Sequence, residues 1–324
     1  MKRVTSVFAV TVMLFAGGAA AQDMALSMGH VLDAKHPVQL GAARMAETAA
    51  KLSNGRLKIT IFPSSQLGSD REMLQNTQSG AIGGVIDATA KLANFVPQYG
   101  VLDLPYLVSD REQAARMLTS PVVEQELHAR ASAAGFRIVN YWEILFRNVY
   151  TRSKPVNSVA DLKGLKIRVI PAPAYIALFR ALGASPTPMS FGELYMAMQQ
   201  GVVDGAENDL VTFLSVKHTE VAKHLTMTNH IMLVNAVMVS EKHWARMTDD
   251  MKAALRQGAA EGRKLCIDEG LAREKSAIEQ IKAAGVRVYE PDLKPFIAAG
   301  RSTYKEFEGR LGSELIEKIV AAAK

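Results

Sequence analysis

Two arginines lie inside apolar, extended stretches: Arg168 in LKIRV and Arg147 in LFRNVYT. Strands bury their apolar faces, so a guanidinium there needs a carboxylate partner or a wet cleft. Its planar fork matches the two oxygens of a carboxylate, which suits such residues to anion capture. A structural salt bridge is the competing reading, and the pattern alone leaves both open. Asn208, in DGAEN, can add an amide hydrogen bond to the same anion or simply close a turn. Phe191, in PMSFGELY, can stack on an apolar ligand face or fill core. The sequence contains no G-x-S-x-G elbow, no H-E-x-x-H pair, no GxGxxG and no Cys or His cluster at metal spacing. These residues are equipped to hold an anion, not to transform one. A non-enzyme with no cofactor and no metal is the expectation.

The elements that must carry them read as α/β. Residues 25–31 form a first strand, 38–53 a helix stopped at Asn54-Gly55, and 57–62 (LKITIF) an alternating strand. Ser69 is placed to cap a helix over 70–79, and 81–88 reads as another strand. This βαβα opening predicts a mostly parallel sheet covered by helices. Further on, 111–134 reads as helix, 136–142, 146–152 and 165–169 as extended, and 174–182 and 191–200 as helix. Residues 225–240 hold an extended apolar run. A single long helical pattern covers 248–284, capped by Thr248, and a short strand over 286–289 precedes the C-terminal helices. At 1.5 Å per residue such a helix spans about 50 Å, enough to lie across two lobes.

The chain has 324 residues and a formal charge of +6. Lys2 and Arg3, an apolar run over 7–16 and Ala19-Ala20-Ala21 predict a signal peptide cut after Ala21, with no stable membrane insertion afterwards. Losing Lys2 and Arg3 leaves +4, too mild an excess to argue for nucleic-acid binding, and no basic cluster is interleaved with aromatics. Cys266 is the only cysteine, so no intrachain disulfide can form, and its helical setting marks it as a small buried apolar residue.

Several segments in order carry a family resemblance: FPSSQLGSDREML over 62–74, LDLPYL over 102–107, DLKGLKIRV over 161–169 and GASPTPMSFGELYMAMQQGVVDGAEN over 183–208. With these the chain resembles the DctP-like substrate-binding proteins of tripartite ATP-independent periplasmic (TRAP) transporters, over nearly its whole length. The resemblance implies a two-lobed α/β periplasmic binding protein fold with a central cleft and a lobe-spanning helix. It implies residues 22–145 as the first lobe, 146–233 as the second, 234–273 as a return to the first, and 274–324 as a return to the second with the C-terminal helices. It implies a periplasmic protein that passes a small organic acid to the small and large subunits of an ion-gradient-driven permease.

Matched residue by residue, the resemblance makes Arg168 the carboxylate anchor, Arg147 the second arginine, Asn208 the cleft asparagine and Phe191 a cleft aromatic. His36, Asp87 to Thr89, Trp142, Glu143 and Asn235 are expected to face the cleft. Glu143 is expected either to accept from ligand hydroxyls or to hold Arg147 in place. The pattern around Trp142 and Arg147 resembles members that bind sugar acids such as uronates. Ile144-Leu145 stands where that pattern has Asn-Gly, so C4-dicarboxylates, keto acids, sialic acid and ectoine-like ligands stay open, as does a chemosensory role.

Overall fold

The computed structural model describes residues 23–324; the expected signal peptide over 1–21 lies outside them. Among the described residues eleven strands form two sheets. Sheet A contains β1 (Met24–Gly29), β2 (Leu57–Phe62), β3 (Gly84–Ala88), β4 (Phe136–Phe146) and β10 (Met232–Ser240), in the order β2-β1-β3-β10-β4. Sheet B contains β5 (Asn148–Thr151), β6 (Lys166–Val169), β7 (Ser185–Pro188), β8 (Gly205–Asn208), β9 (His224–Thr226) and β11 (Arg287–Tyr289), in the order β11-β9-β5-β8-β6-β7. Each sheet with its helices forms one lobe of a two-lobed α/β fold.

The sheets are mixed, which corrects the mostly parallel expectation. β5 runs antiparallel to β8 and β9, and β10 antiparallel to β3 and β4. The reason is the crossing of the chain. β4 leaves sheet A and continues through Arg147 into β5, and the return path runs from β9 into β10. The two crossing segments pair with each other: Arg147 N donates to Ile231 O at 2.8 Å and His230 N to Arg147 O at 3.1 Å. Arg147 therefore sits in the crossover itself.

Local chemistry sets most boundaries where the sequence places them. Ser69 caps helix Asp70–Ser79 in a capping box with Glu72, and Thr248 caps helix Asp249–Ala283. The expected helix over 111–134 is broken: Arg111–Leu118 is followed by Ser120-Pro121, then by a wide helical turn over Val122–Leu127 and by His128–Ala133. β7 and β8 lie in what reads as turn and corner. β7 holds Pro186 and Pro188, which a sheet accepts because the strand is at an edge.

The 35-residue helix Asp249–Ala283 contacts helix Pro37–Leu52 and β4 in one lobe, and helix Leu210–Ser215 and β11 in the other. Helices Tyr304–Leu311 and Ser313–Ala322 pack near Pro97–Asp103 on the sheet A side. Among the described residues no helix is long and apolar enough to cross a membrane. Cys266 is buried, with its thiol pushed up to about 12 by burial, which makes it inert packing.

The long helix approaches helix Pro37–Leu52 so closely that only glycine fits. A Cβ on Gly262 would lie 2.5 Å from Gly41 O and 2.9 Å from the Trp142 ring. Trp142 is locked there, its Nε1–H donating to Ala259 O at 3.1 Å, so it packs on the helix and not in the cleft where sequence reasoning put it. We expect Gly262→Ala to destabilise by about 1–3 kcal/mol through overpacking. A lowered urea midpoint checks this; an unchanged midpoint would contradict the tight crossing.

Candidate functional site

β6 pairs with β8 in parallel, with Arg168 beside Ala206, and β8 pairs with β5, with Asn208 beside Asn148. This register brings Arg168, Arg147 and Asn208 to one end of sheet B. From the other lobe, β3 supplies Asp87 and β10 supplies Asn235, paired to Ala88. All five line one cavity between the lobes, together with Phe191, Lys91 and Thr212. The lobes are drawn together over it. The space within it is about 40 Å³, where one water needs roughly 10–15 Å³. A groove of about 600 Å³ continues from it past Asp70, Lys91, Met189 and Glu193. Among the described residues, hydrogen bonds across the cleft include His36 Nε2 with Thr212 Oγ1 at 3.1 Å and Asn94 Nδ2 to Pro171 O at 2.7 Å.

The two arginines have different occupations. Arg147 is engaged chiefly with sheet B. Its Nε and Nη2 donate to the Glu207 carboxylate, Nη2 also to Glu207 O at 2.7 Å, and Nη1 to Asn208 Oδ1 at 2.8 Å. Four of its five N–H donors are thus taken within the chain. Burial works against its charge, but Glu207 overrides burial and raises the pKa. Burial alone would raise the Glu207 carboxyl; Arg147 and His230, whose Nε2 lies 3.2 Å away, together outweigh it and hold the group at about 2. Asn208 Oδ1 also accepts from Asp209 N at 3.0 Å, which fixes the amide and leaves Nδ2 without a partner among the described residues.

Arg168 is different. It is 1% exposed, yet among the described residues no carboxylate lies within 4.0 Å of it. Its Nε and Nη2 both donate to Met189 O, at 3.0 and 2.8 Å, and its guanidinium lies 5.7 Å from the Phe191 ring centroid. Three N–H donors are left over. Burial lowers its pKa from the ordinary value, with Glu207 opposing. A buried cation held by one carbonyl and an aromatic face is a ready anion anchor.

The other expected residues separate. Phe191 and Asn235 line the cavity, and the Asn235 amide makes no hydrogen bond within the described chain. His36 stands just behind, capping helix Pro37–Leu52 through Nδ1 and bonding Thr212 through Nε2. Thr212 Oγ1 donates to Asp209 Oδ2 at 2.6 Å, so it accepts from His36 Nε2–H and the ring is neutral. Glu143 is not in the cavity. Its carboxylate pairs with Arg263 of the long helix, Nε to Oε2 at 3.0 Å, because β4 turns it outward there. The role of holding Arg147, one of two expected for Glu143, belongs to Glu207. Thr89 also turns away, its Oγ1 donating to Asp103. Sequence reasoning missed Glu207, Asp70 and Lys91. The i,i+4 spacing of Asp87 and Lys91 was a usable signal, since Lys91 Nζ lies 2.6 Å from Asp87 Oδ1 and 2.8 Å from Asp70 Oδ2. Among the described residues no group of three or more His, Cys, Asp and Glu is placed to hold a metal ion.

Two predictions follow from the buried charges. Glu207→Ala leaves Arg147 unpaired and should cost about 3–5 kcal/mol, most of it recovered in the Arg147→Met/Glu207→Leu double variant. Urea titrations of all three check this; equal midpoints for single and double variants would contradict it. Burial keeps His36 and His218 neutral by lowering them from 6.5 to about 4 and about 3. The unfolded chain therefore binds protons first, and stability should fall as pH drops below about 6.5. His36→Gln should flatten that slope between pH 4 and 6.5 in chemical denaturation.

Comparison with known proteins adds a family. The model of the family "Bacterial extracellular solute-binding protein, family 7" matches residues 28–310. The chain is 32% identical over 285 residues to the sialic acid-binding periplasmic protein SiaP of Vibrio cholerae, covering 88% of each chain. It is similar to the TRAP periplasmic solute-binding protein of Polaromonas sp. JS666 bound to D-erythronate (TM-score 0.88, 30% identity, 92% of this chain and 99% of that one). It is also similar to the sugar acid binding protein of Advenella mimigardefordensis in complex with galactonate (TM-score 0.89, 28% identity, 93% and 98%).

Proposed function

The chain belongs to family 7 of the bacterial extracellular solute-binding proteins, the DctP-like binding proteins of TRAP transporters, and from that premise we propose that it captures a sugar acid by its carboxylate. It works in the periplasm after its signal peptide is removed behind Ala21, and hands the anion to the small and large subunits of an ion-gradient-driven permease. It performs no reaction on the ligand. One observation carries the reading: Arg168 is buried in the interlobe cavity with three N–H donors that no carboxylate of the described chain takes. The ligand carboxylate is the partner this geometry calls for, with Asn208 Nδ2 and the remaining Arg147 N–H beside it.

The division of labour between the arginines gives the mechanism. Arg147 and Glu207 neutralise each other and hold Asn208 in place, so the floor is built before ligand arrives. Arg168 supplies the unsatisfied charge. An anion bound to it also meets Asp87 and Asn235 of the other lobe, so it binds the closed form better than the open one and shifts the equilibrium towards closure. Sugar acids are favoured because relatives of this fold are solved with D-erythronate and galactonate, and because the cavity offers amides and a carboxylate to hydroxyls.

A thermal-shift screen across aldonates, uronates, keto acids, sialic acid and dicarboxylates tests the class. A ligand present at about 100 times its dissociation constant should stabilise by about 2.7 kcal/mol. For the ligand so found, Arg168→Ala should weaken binding at least about tenfold, or roughly 1.4 kcal/mol. Calorimetry showing unchanged affinity in that variant would remove Arg168 from the anchor role.

A further inference from the structure

We infer that Asp87 reads a hydroxyl group on the ligand, so that the cleft takes hydroxylated monocarboxylates and rejects dicarboxylates. This rests on the carboxylate-anchoring role of Arg168 and specifies the other end of the same ligand.

Asp87 is 4% exposed and lines the cavity that Arg168 also lines, from the opposite lobe. Its Oδ1 is fully used, accepting from Lys91 Nζ at 2.6 Å and from Ala88 N at 2.8 Å. Its Oδ2 is buried and accepts from nothing among the described residues. A buried carboxylate oxygen without a donor is costly, and native proteins seldom leave one unless something else supplies the hydrogen. Lys91 is already committed, its ammonium held between Asp87 and Asp70. With Asp70 and Asp87 both ionised, the three groups together carry one net negative charge.

The cavity lining is therefore asymmetric: the second lobe contributes Arg168, a cation without a carboxylate partner, and the first contributes Asp87, a residue with an acceptor left over. A ligand fitting both has a carboxylate and, further along, a hydrogen-bond donor. A hydroxyl meets that need without adding charge. A second carboxylate has no proton to give and would set like charge against Asp87. An ammonium could donate, but it would enter a cavity already lined by Lys91, Arg147 and Arg168. Burial raises the Asp87 pKa, Asp70 adds to the rise and Lys91 opposes it. A hydroxyl donating to Oδ2 would stabilise the ionised form against that burial.

Asp87→Asn provides a test in which shape is kept and one acceptor becomes a donor. Lys91 Nζ and Ala88 N–H both require an oxygen at Oδ1, so the amide should keep its oxygen there and turn its NH₂ into the cavity. D-Erythronate and succinate, both four-carbon acids, are titrated calorimetrically into purified wild type and variant. Wild type should bind D-erythronate at least about 100-fold more tightly than succinate. The variant should lose about tenfold or more for D-erythronate and gain for succinate, narrowing or reversing the ratio. A ratio unmoved by the substitution overturns the inference, as does wild type binding succinate as tightly as D-erythronate. A marked preference of wild type for 4-aminobutanoate over 4-hydroxybutanoate overturns it in favour of an ammonium reader. Should the variant fail to fold, 4-hydroxybutanoate against butanoate on wild type decides, equal affinities being the overturning result. If no organic acid binds wild type, the Arg168 reading falls as well; if acids bind and only the Asp87 comparisons fail, that reading stands.

Discussion

The ion pair of Arg147 with Glu207 is the constraint from which the cleft is built. Arg147 occupies the crossover, its backbone tied to Ile231 and His230 of the returning segment. Its side chain crosses to β8, where Glu207 and Asn208 take it. One residue thus joins the crossover, the sheet and the cavity wall. A buried pair of this kind gains little net stability over an apolar replacement, since desolvation offsets most of the attraction. Its value here is positional. It fixes the Asn208 amide and keeps a second guanidinium at the cavity without consuming the ligand's charge.

Against that neutralised floor Arg168 acts as the cavity's uncompensated cation. The contrast between two buried arginines, one paired through a carboxylate and one resting on a carbonyl and a phenyl ring, is what divides scaffold from anchor in the proposed function. On the facing lobe the same logic runs with opposite sign. Lys91 is the paired group there, and Asp87 Oδ2 is the one left over. Each lobe carries a buried ion pair with unsatisfied polar atoms beside it. In the proposed function neither lobe alone completes the site, which ties binding to closure.

Much of this was legible in the sequence because it is local. LKIRV alternates plainly enough to place Arg168 on a strand, and the Ser69 and Thr248 caps mark helix starts within a residue. What escaped depends on pairing between distant segments. GAEN has no apolar alternation to mark it as β8, because a strand enclosed on both faces by its own lobe can bury polar residues that pair with each other. Glu143 and Glu207 are both acids near an arginine in the chain or in the fold. Only the register of β8 on β5 shows that Glu207 reaches Arg147, while β4 turns Glu143 to Arg263. The antiparallel β5 and β10 were equally hidden, since strand direction follows from a crossover that no local pattern encodes.

The position of β10 has a consequence for how the chain acquires its structure. It is the strand that fills the gap between β3 and β4, so sheet A is two separate pieces until residues 232–240 arrive. The first lobe therefore cannot finish folding as an N-terminal unit during synthesis, although most of its residues are made early. Contacts of such long sequence separation fold slowly, because loop closure precedes any gain from pairing. The proposed export of the chain in unfolded form gains time from that arrangement: its first-made strands lack their central partner until the last third of the polypeptide is supplied.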